Sequence, residues 1–153
     1  MYANKKRIQN SFARAAATYD GQAVIQRQVA DRLIALLKGS CAISPERVLE
    51  IGCCTGILTS RLVYQYQGIT TLYVNDLVPE FRSMVLAGLP RDCNPVFLEG
   101  DIESIGLPTG FDLVISSSTF HWLDDLPGLL DRVSARMTSA STLCFTIYST
   151  DNF

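Results

Sequence analysis

A carboxylate set beside a glycine-bearing turn carries the most chemistry in this chain. Residues 48–56 read Val48-Leu49-Glu50-Ile51-Gly52-Cys53-Cys54-Thr55-Gly56, and an amphipathic run from Ile57 to Val63 follows. An apolar strand, a tight loop and a helix in that order bring a small polar ligand close to the backbone. The glycines remove the Cβ atoms that would hold it away, and the helix N-terminus offers unpaired N–H groups. Glu50 narrows the ligand class. A pyrophosphate would be repelled by it, whereas a ligand with a cationic centre and a zwitterionic amino-acid tail would tolerate or use it.

Other polar residues extend this constellation. Asp76, with Leu77 beside it, follows Gly52 by 24 residues and ends an apolar run. An acid there can accept hydrogen bonds from both hydroxyls of a ribose; the alternative is a cap for the helix after Pro79. Asp101, in Glu99-Gly100-Asp101-Ile102-Glu103, could accept from an adenine amino group with Ile102 against the ring, or could be an ordinary turn aspartate. Ser116-Ser117-Ser118-Thr119-Phe120-His121-Trp122 follows a further apolar strand, so Ser116 and His121 are candidates there. His121, the only histidine, could act as a general base, although a lone histidine is more often structural or part of a lid. Trp122 reads as packing. Tyr19, between two helical runs, could close its ring over a cation or be a core tyrosine.

The elements that position these residues follow from the apolar pattern. Residues 4–17 and 21–38 read as helices, with Ile8, Phe12 and Ala15 on one face and Val29, Leu33, Leu36 and Leu37 on another, and with Gly39 as the stop. Strands are expected over 47–51, 70–75, 96–98, 111–116 and 142–148, and helices over 57–66, 79–87 with Pro79 opening, and 126–137. Alternating strands and helices predict an α/β fold with a doubly wound, mostly parallel sheet, Rossmann-like. The polar candidates gather after the strand ends, where such sheets bind ligands.

Composition sets the bounds. The 153 residues fit one folded domain, with 1–40 a helical lid or substrate segment and 41–153 the ligand-binding core. At 48% hydrophobic and 18% charged, wholesale disorder is excluded. No apolar run approaches a membrane span and no secretory signal opens the chain, which points to a cytoplasmic protein with no membrane partner. Cys41, Cys53, Cys54, Cys93 and Cys144 contain no C-x-x-C pair, so no metal site is expected, and they read as small hydrophobes in a reducing compartment. Residues 1–40 hold seven Lys/Arg against two Asp, whereas 41–153 hold six Arg against thirteen acids. A basic segment on an acidic body suits an anionic partner or a solvated helix face, and argues against nucleic acid.

The pattern E-x-G-x-x-x-G at Glu50, Gly52 and Gly56 resembles motif I of class I S-adenosylmethionine-dependent methyltransferases. The run Lys6 to Asp20, with Phe12-Ala13-Arg14-Ala15 and Tyr19-Asp20, followed by Gln26-Arg27-Gln28, is similar to the N-terminal signature of malonyl-acyl-carrier-protein O-methyltransferases of biotin synthesis. The stretch Phe111 to Trp122 looks like that family's segment after strand four. The resemblance implies S-adenosylmethionine as cofactor, held by Glu50, Gly52, Cys53, Cys54, Gly56, Asp76, Leu77, Asp101, Ile102, Ser116 and Tyr19. It implies methyl transfer to the free carboxylate of a malonyl thioester, on acyl carrier protein or coenzyme A. The family has glycine where Cys54 stands, and it continues beyond the equivalent of Phe153 with a helix and an antiparallel strand pair. Two other readings stay open: a methyltransferase for another small acceptor, and a non-catalytic binding module. A nicotinamide oxidoreductase would want G-x-G-x-x-G, and Cys54 and Ile57 stand at its second and third glycines.

Overall fold

The computed structural model describes residues 4–40 and 44–148; Cys41 falls outside them. Helices α1 (Lys5–Gln22) and α2 (Val24–Ser40) precede an alternation of β1 (Arg47–Ile51), α3 (Ile57–Gln65), β2 (Thr71–Asp76), α4 (Phe81–Ala87), β3 (Val96–Glu99), β4 (Phe111–Ser117), α5 (Leu126–Ser134) and β5 (Met137–Thr146). A single 3-10 turn spans Phe120–Trp122. The five strands run in the order β3-β2-β1-β4-β5, and all four pairings are parallel. This is the expected doubly wound sheet. Its winding direction reverses between β1 and β4, so their carboxyl ends open a crevice.

Side-chain alternation along β1 fills both faces. Val48 packs with Leu33, Leu37, Leu62, Val74 and Ile115 under α2 and α3. Leu49 and Ile51 pack with Phe111, Val114, Leu129 and Val133 under α5. A strand buried on both faces reads as a continuous apolar run, and Glu50, 1% exposed, is the buried charged residue within this one.

Several element boundaries differ from expectation, each for a local reason. Helix α1 runs through Thr18-Tyr19-Asp20 to Gln22, so Tyr19 sits within α1 rather than between helices. No proline breaks the backbone ladder there, and the helical spacing puts Tyr19 on the side of Ile8 and Phe12. In α2 the buried stripe is Ala30, Leu33, Ile34 and Leu37, while Leu36 is 60% exposed. Helix α4 starts at Phe81, not Pro79: the Asp76 carboxylate accepts from Val78 N–H (2.9 Å), and this Asx-type turn delays the helix by two residues. Helix α5 stops at Ser134, and β5 begins at Met137 and ends at Thr146. The polar run Thr138-Ser139-Ala140-Ser141 looked like a loop but extends the edge strand, with a register shift between Phe111 and Leu113.

Candidate functional site

A cavity of about 230 Å³ lies at the crevice between β1 and β4. Its floor is the loop after β1. Gly52 and Cys53 N–H groups both donate to Asn75 O at 2.9 Å, which fastens the loop to the end of β2. Gly52 has φ 74°. A Cβ there would stand 2.1 Å from Thr119 Oγ1, so only glycine fits. Cys54 also has positive φ, 48°, and its N–H donates to Asp76 Oδ2 at 2.7 Å. Gly56, at φ 90°, is placed against Val85 at the start of α3; it serves helix packing and is not on the cavity wall.

Glu50 lines the cavity with a carboxylate that has no hydrogen-bond partner on either oxygen among the described residues. Burial pushes its pKa up to about 8, and neighbouring Asp76 adds to the rise. Thr59 offsets part of this shift, although no hydrogen bond in good geometry joins the two side chains. Asp76 is placed on the same wall, its pKa raised by burial and held back by the N–H groups of Val78 and Cys54. Each of its oxygens has one N–H donor and keeps a lone pair for a ligand. Leu77, Asp101 and Ile102 continue the wall. Asp101 Oδ1 accepts from Glu103 N–H at 3.1 Å and lies 3.5 Å from Lys5 Nζ.

The roof is α1. Lys5, Ile8, Phe12 and Tyr19 face the cavity, Gln9 donates to Leu77 O at 2.9 Å, and the Thr55 hydroxyl donates to Asp20 at 2.6 Å. The helix is therefore tied at both ends to the loops beneath it. The Tyr19 phenol faces the Cys54 thiol. Burial, and then that contact, raises the phenol's pKa, and burial pushes the thiol up to about 12, so both stay protonated and neutral. On the far side, the His121 ring lies tilted against Trp122 (4.9 Å) and edge-on to Tyr148 (5.1 Å). Burial lowers its pKa, and its Nδ1 has no partner.

Ser116, like Gly56, is a sequence candidate that the structure places off the cavity wall. It is fully buried, in register with Ile51 and donating to Ile51 O at 2.9 Å, and so joins β1 to β4; Ser117, Ser118 and Thr119 line the wall instead. A run of three serines gives no sequence signal for which one turns inward. Lys5, Asn75 and Thr119 were also missed. Thr119 lies inside the flagged stretch, but Lys5 looked like one member of a basic run and Asn75 like ordinary strand.

Comparison with known proteins agrees with this geometry. The family model described as a methyltransferase domain matches residues 49–145. The chain belongs to this methyltransferase-domain family, and its fold is that of the Rossmann-like class I methyltransferases. More narrowly, it is 34% identical to a malonyl-[acyl-carrier protein] O-methyltransferase of Acinetobacter baylyi over 98% of this chain and 57% of that protein. It is 35% identical to one of Prosthecochloris aestuarii, over 97% of this chain and 57% of that one. The chain thus spans a little over half the length of these curated relatives. Among solved structures, the N-methyltransferase NodS of Bradyrhizobium japonicum, in complex with S-adenosyl-L-homocysteine, superposes with TM-score 0.73 at 21% identity, over 90% of this chain and 71% of NodS. A Haloferax volcanii putative methyltransferase, in complex with its activator Trm112, gives 0.76 at 20%, over 90% and 58%.

Proposed function

We propose that this chain binds S-adenosylmethionine and, as part of a malonyl-acyl-carrier-protein O-methyltransferase acting in biotin synthesis, passes its methyl group to the free carboxylate of a malonyl thioester. The observation that carries the cofactor is the unpaired Glu50 carboxylate on a cavity whose floor loop packs so closely against Thr119 that only glycine fits at position 52. An ammonium suits that carboxylate, and Asp76 and Asp101 lie along the same wall as acceptors for ribose hydroxyls and an adenine amino group. The identity of the acceptor is supported by the similar relatives and the N-terminal signature.

The cofactor supplies a methyl group already activated by a sulfonium. The residues of this chain have to align donor and acceptor and keep water out. Phe12 and Tyr19 roof the cavity with apolar surface, and Tyr19 offers an aromatic face to a cation. A carboxylate acceptor is ionised at neutral pH, so no base is needed. His121, kept neutral by burial, then offers a hydrogen-bonding nitrogen to the acceptor rather than taking a proton. Lys6, Arg7 and Arg14 are exposed on the outer side of α1 and suit an acidic carrier protein.

Calorimetry with S-adenosylmethionine and with NAD tests the cofactor: binding of NAD alone would sink the proposal. An ester-formation assay with malonyl-carrier protein tests the acceptor. It is run on this chain and on a chimera carrying the C-terminal part of one of the relatives. Cofactor binding without ester formation in either protein would favour another small acceptor or a non-catalytic module.

A further inference from the structure

Two separate segments cover the cavity: α1 from one side and the turn through Trp122 and Leu123 from the other. They touch where the Phe12 ring meets the Trp122 ring edge-on at 5.8 Å. Both reach one further group that does not line the cavity, the Glu103 carboxylate. Lys5, in the first turn of α1, donates to Glu103 Oε2 in a close ion pair. The backbone N–H groups of Asp124 (3.1 Å) and Asp125 (2.5 Å), which follow the aromatic turn, donate to the same carboxylate. The carboxylate stands on a fixed base. Arg132 of α5 donates to the carbonyls of Ile102 (3.0 Å), Glu103 (2.5 Å) and Ile105, and so clamps the turn that carries it.

We infer that Glu103 is a positioning residue that couples the two covers, so that α1 and the 119–125 segment open and close over the cofactor as one lid. The inference rests on the reading that this cavity takes S-adenosylmethionine. Its reason is geometric. A ligand entering or leaving a cavity roofed from two sides passes between the covers, and neither cover can swing out without stripping donors from Glu103. If α1 lifts, the carboxylate loses its cation; if the 119–125 turn lifts, it loses two N–H donors. A carboxylate that is half-buried and satisfied from both sides resists either movement. Bonds to charged groups are the stronger ones, so the coupling is electrostatic and weakens as salt screens the Lys5 limb.

Trp122 is the only tryptophan and lies in the lid, so its fluorescence reports the movement directly. Stopped-flow mixing with S-adenosylhomocysteine is expected to show both association and dissociation faster in Glu103→Gln, dissociation by about tenfold. Lys5→Gln should reproduce a smaller part of this change, and its effect should shrink in the Glu103→Gln background to what its contact with Asp101 on the cavity wall leaves. Hydrogen exchange on the ligand-free protein supplies a second readout: in Glu103→Gln, amides of α1 and of residues 123–125 should lose protection together. If wild-type protein fails to bind S-adenosylhomocysteine, the cofactor reading fails, and the exchange data alone decide the coupling. Binding rates within twofold of wild type in a folded Glu103→Gln would overturn the inference. So would additive effects of the two substitutions, or exchange confined to one cover. If Glu103→Gln does not fold, Lys5→Gln alone must speed dissociation and loosen the 123–125 amides.

Discussion

At the residue scale, Glu50 sets function against stability. It is an acid whose folded pKa, about 8, lies above its ordinary 4.5. Such a group binds its proton more tightly in the folded state. Its contribution to stability is full below about pH 4.5 and is lost as pH rises toward 8. Glu50→Gln should therefore leave the ligand-free protein close to wild type at pH 5 and stabilise it at pH 8. The gain at pH 8 is on the order of 4 kcal/mol, at about 1.4 kcal/mol for each pH unit between the two titration points. Thermal unfolding at the two pH values measures this, and a shift equal at both would contradict the assignment. The same substitution should weaken S-adenosylmethionine binding at least tenfold. Cys54 is a related case. Its φ of 48° costs a side chain about 1 kcal/mol that glycine would not incur. Cys54→Gly should bind the cofactor at least as tightly by calorimetry; weaker binding would mean that the thiol facing Tyr19 matters more than the backbone.

At the element scale, the sheet was legible in the sequence because its strands announce themselves. β1 and β4 are buried on both faces and read as continuous apolar runs, and the polar residues at the strand ends cluster by topology. The errors came from elements that polar residues build. β5 starts early because Thr138 to Ser141 form an exposed edge, where strand sequence is not constrained to be apolar. α1 runs long because Tyr19 is needed on its inner side, a tertiary demand that local signals around Asp20 do not carry. Ser116 shows the same limit within the site. Its type and position suited a ligand, but period-two alternation turned it toward Ile51. Ser116→Ala should lower stability by about 1–2 kcal/mol, the cost of a lost buried hydrogen bond that leaves Ile51 O without it. Cofactor affinity should be unchanged. Denaturant unfolding and calorimetry on one preparation check both, and a fall in affinity without a fall in stability would return Ser116 to the site.

At the scale of the whole molecule, charge is sorted between cover and core. The chain has net charge −2, yet residues 1–40 carry seven basic groups against two acids. Within α1 the basic residues divide by direction. Lys5 points inward and is consumed by Asp101 and Glu103, whereas Lys6, Arg7 and Arg14 stay exposed on the outer side of the same helix. Internal pairing alone would leave no reason for the outer set, since the acidic body would gain equally from scattered positive charge. The proposed acidic carrier protein gives that set a use: a positive field on the outer side of α1 speeds encounter and orients the partner. Reversing Lys6, Arg7 and Arg14 together to Glu should raise KM for malonyl-carrier protein about tenfold at low salt. KM for malonyl-coenzyme A should rise less, because that molecule offers no protein surface to dock. The difference between the two substrates should shrink as ionic strength grows past the point where the Debye length falls to about 8 Å. Steady-state kinetics at two salt concentrations, on the chimera carrying the C-terminal part of a relative, measure it. Equal loss with both substrates would place these residues in the site itself, and no loss with either would make them a solvated helix face.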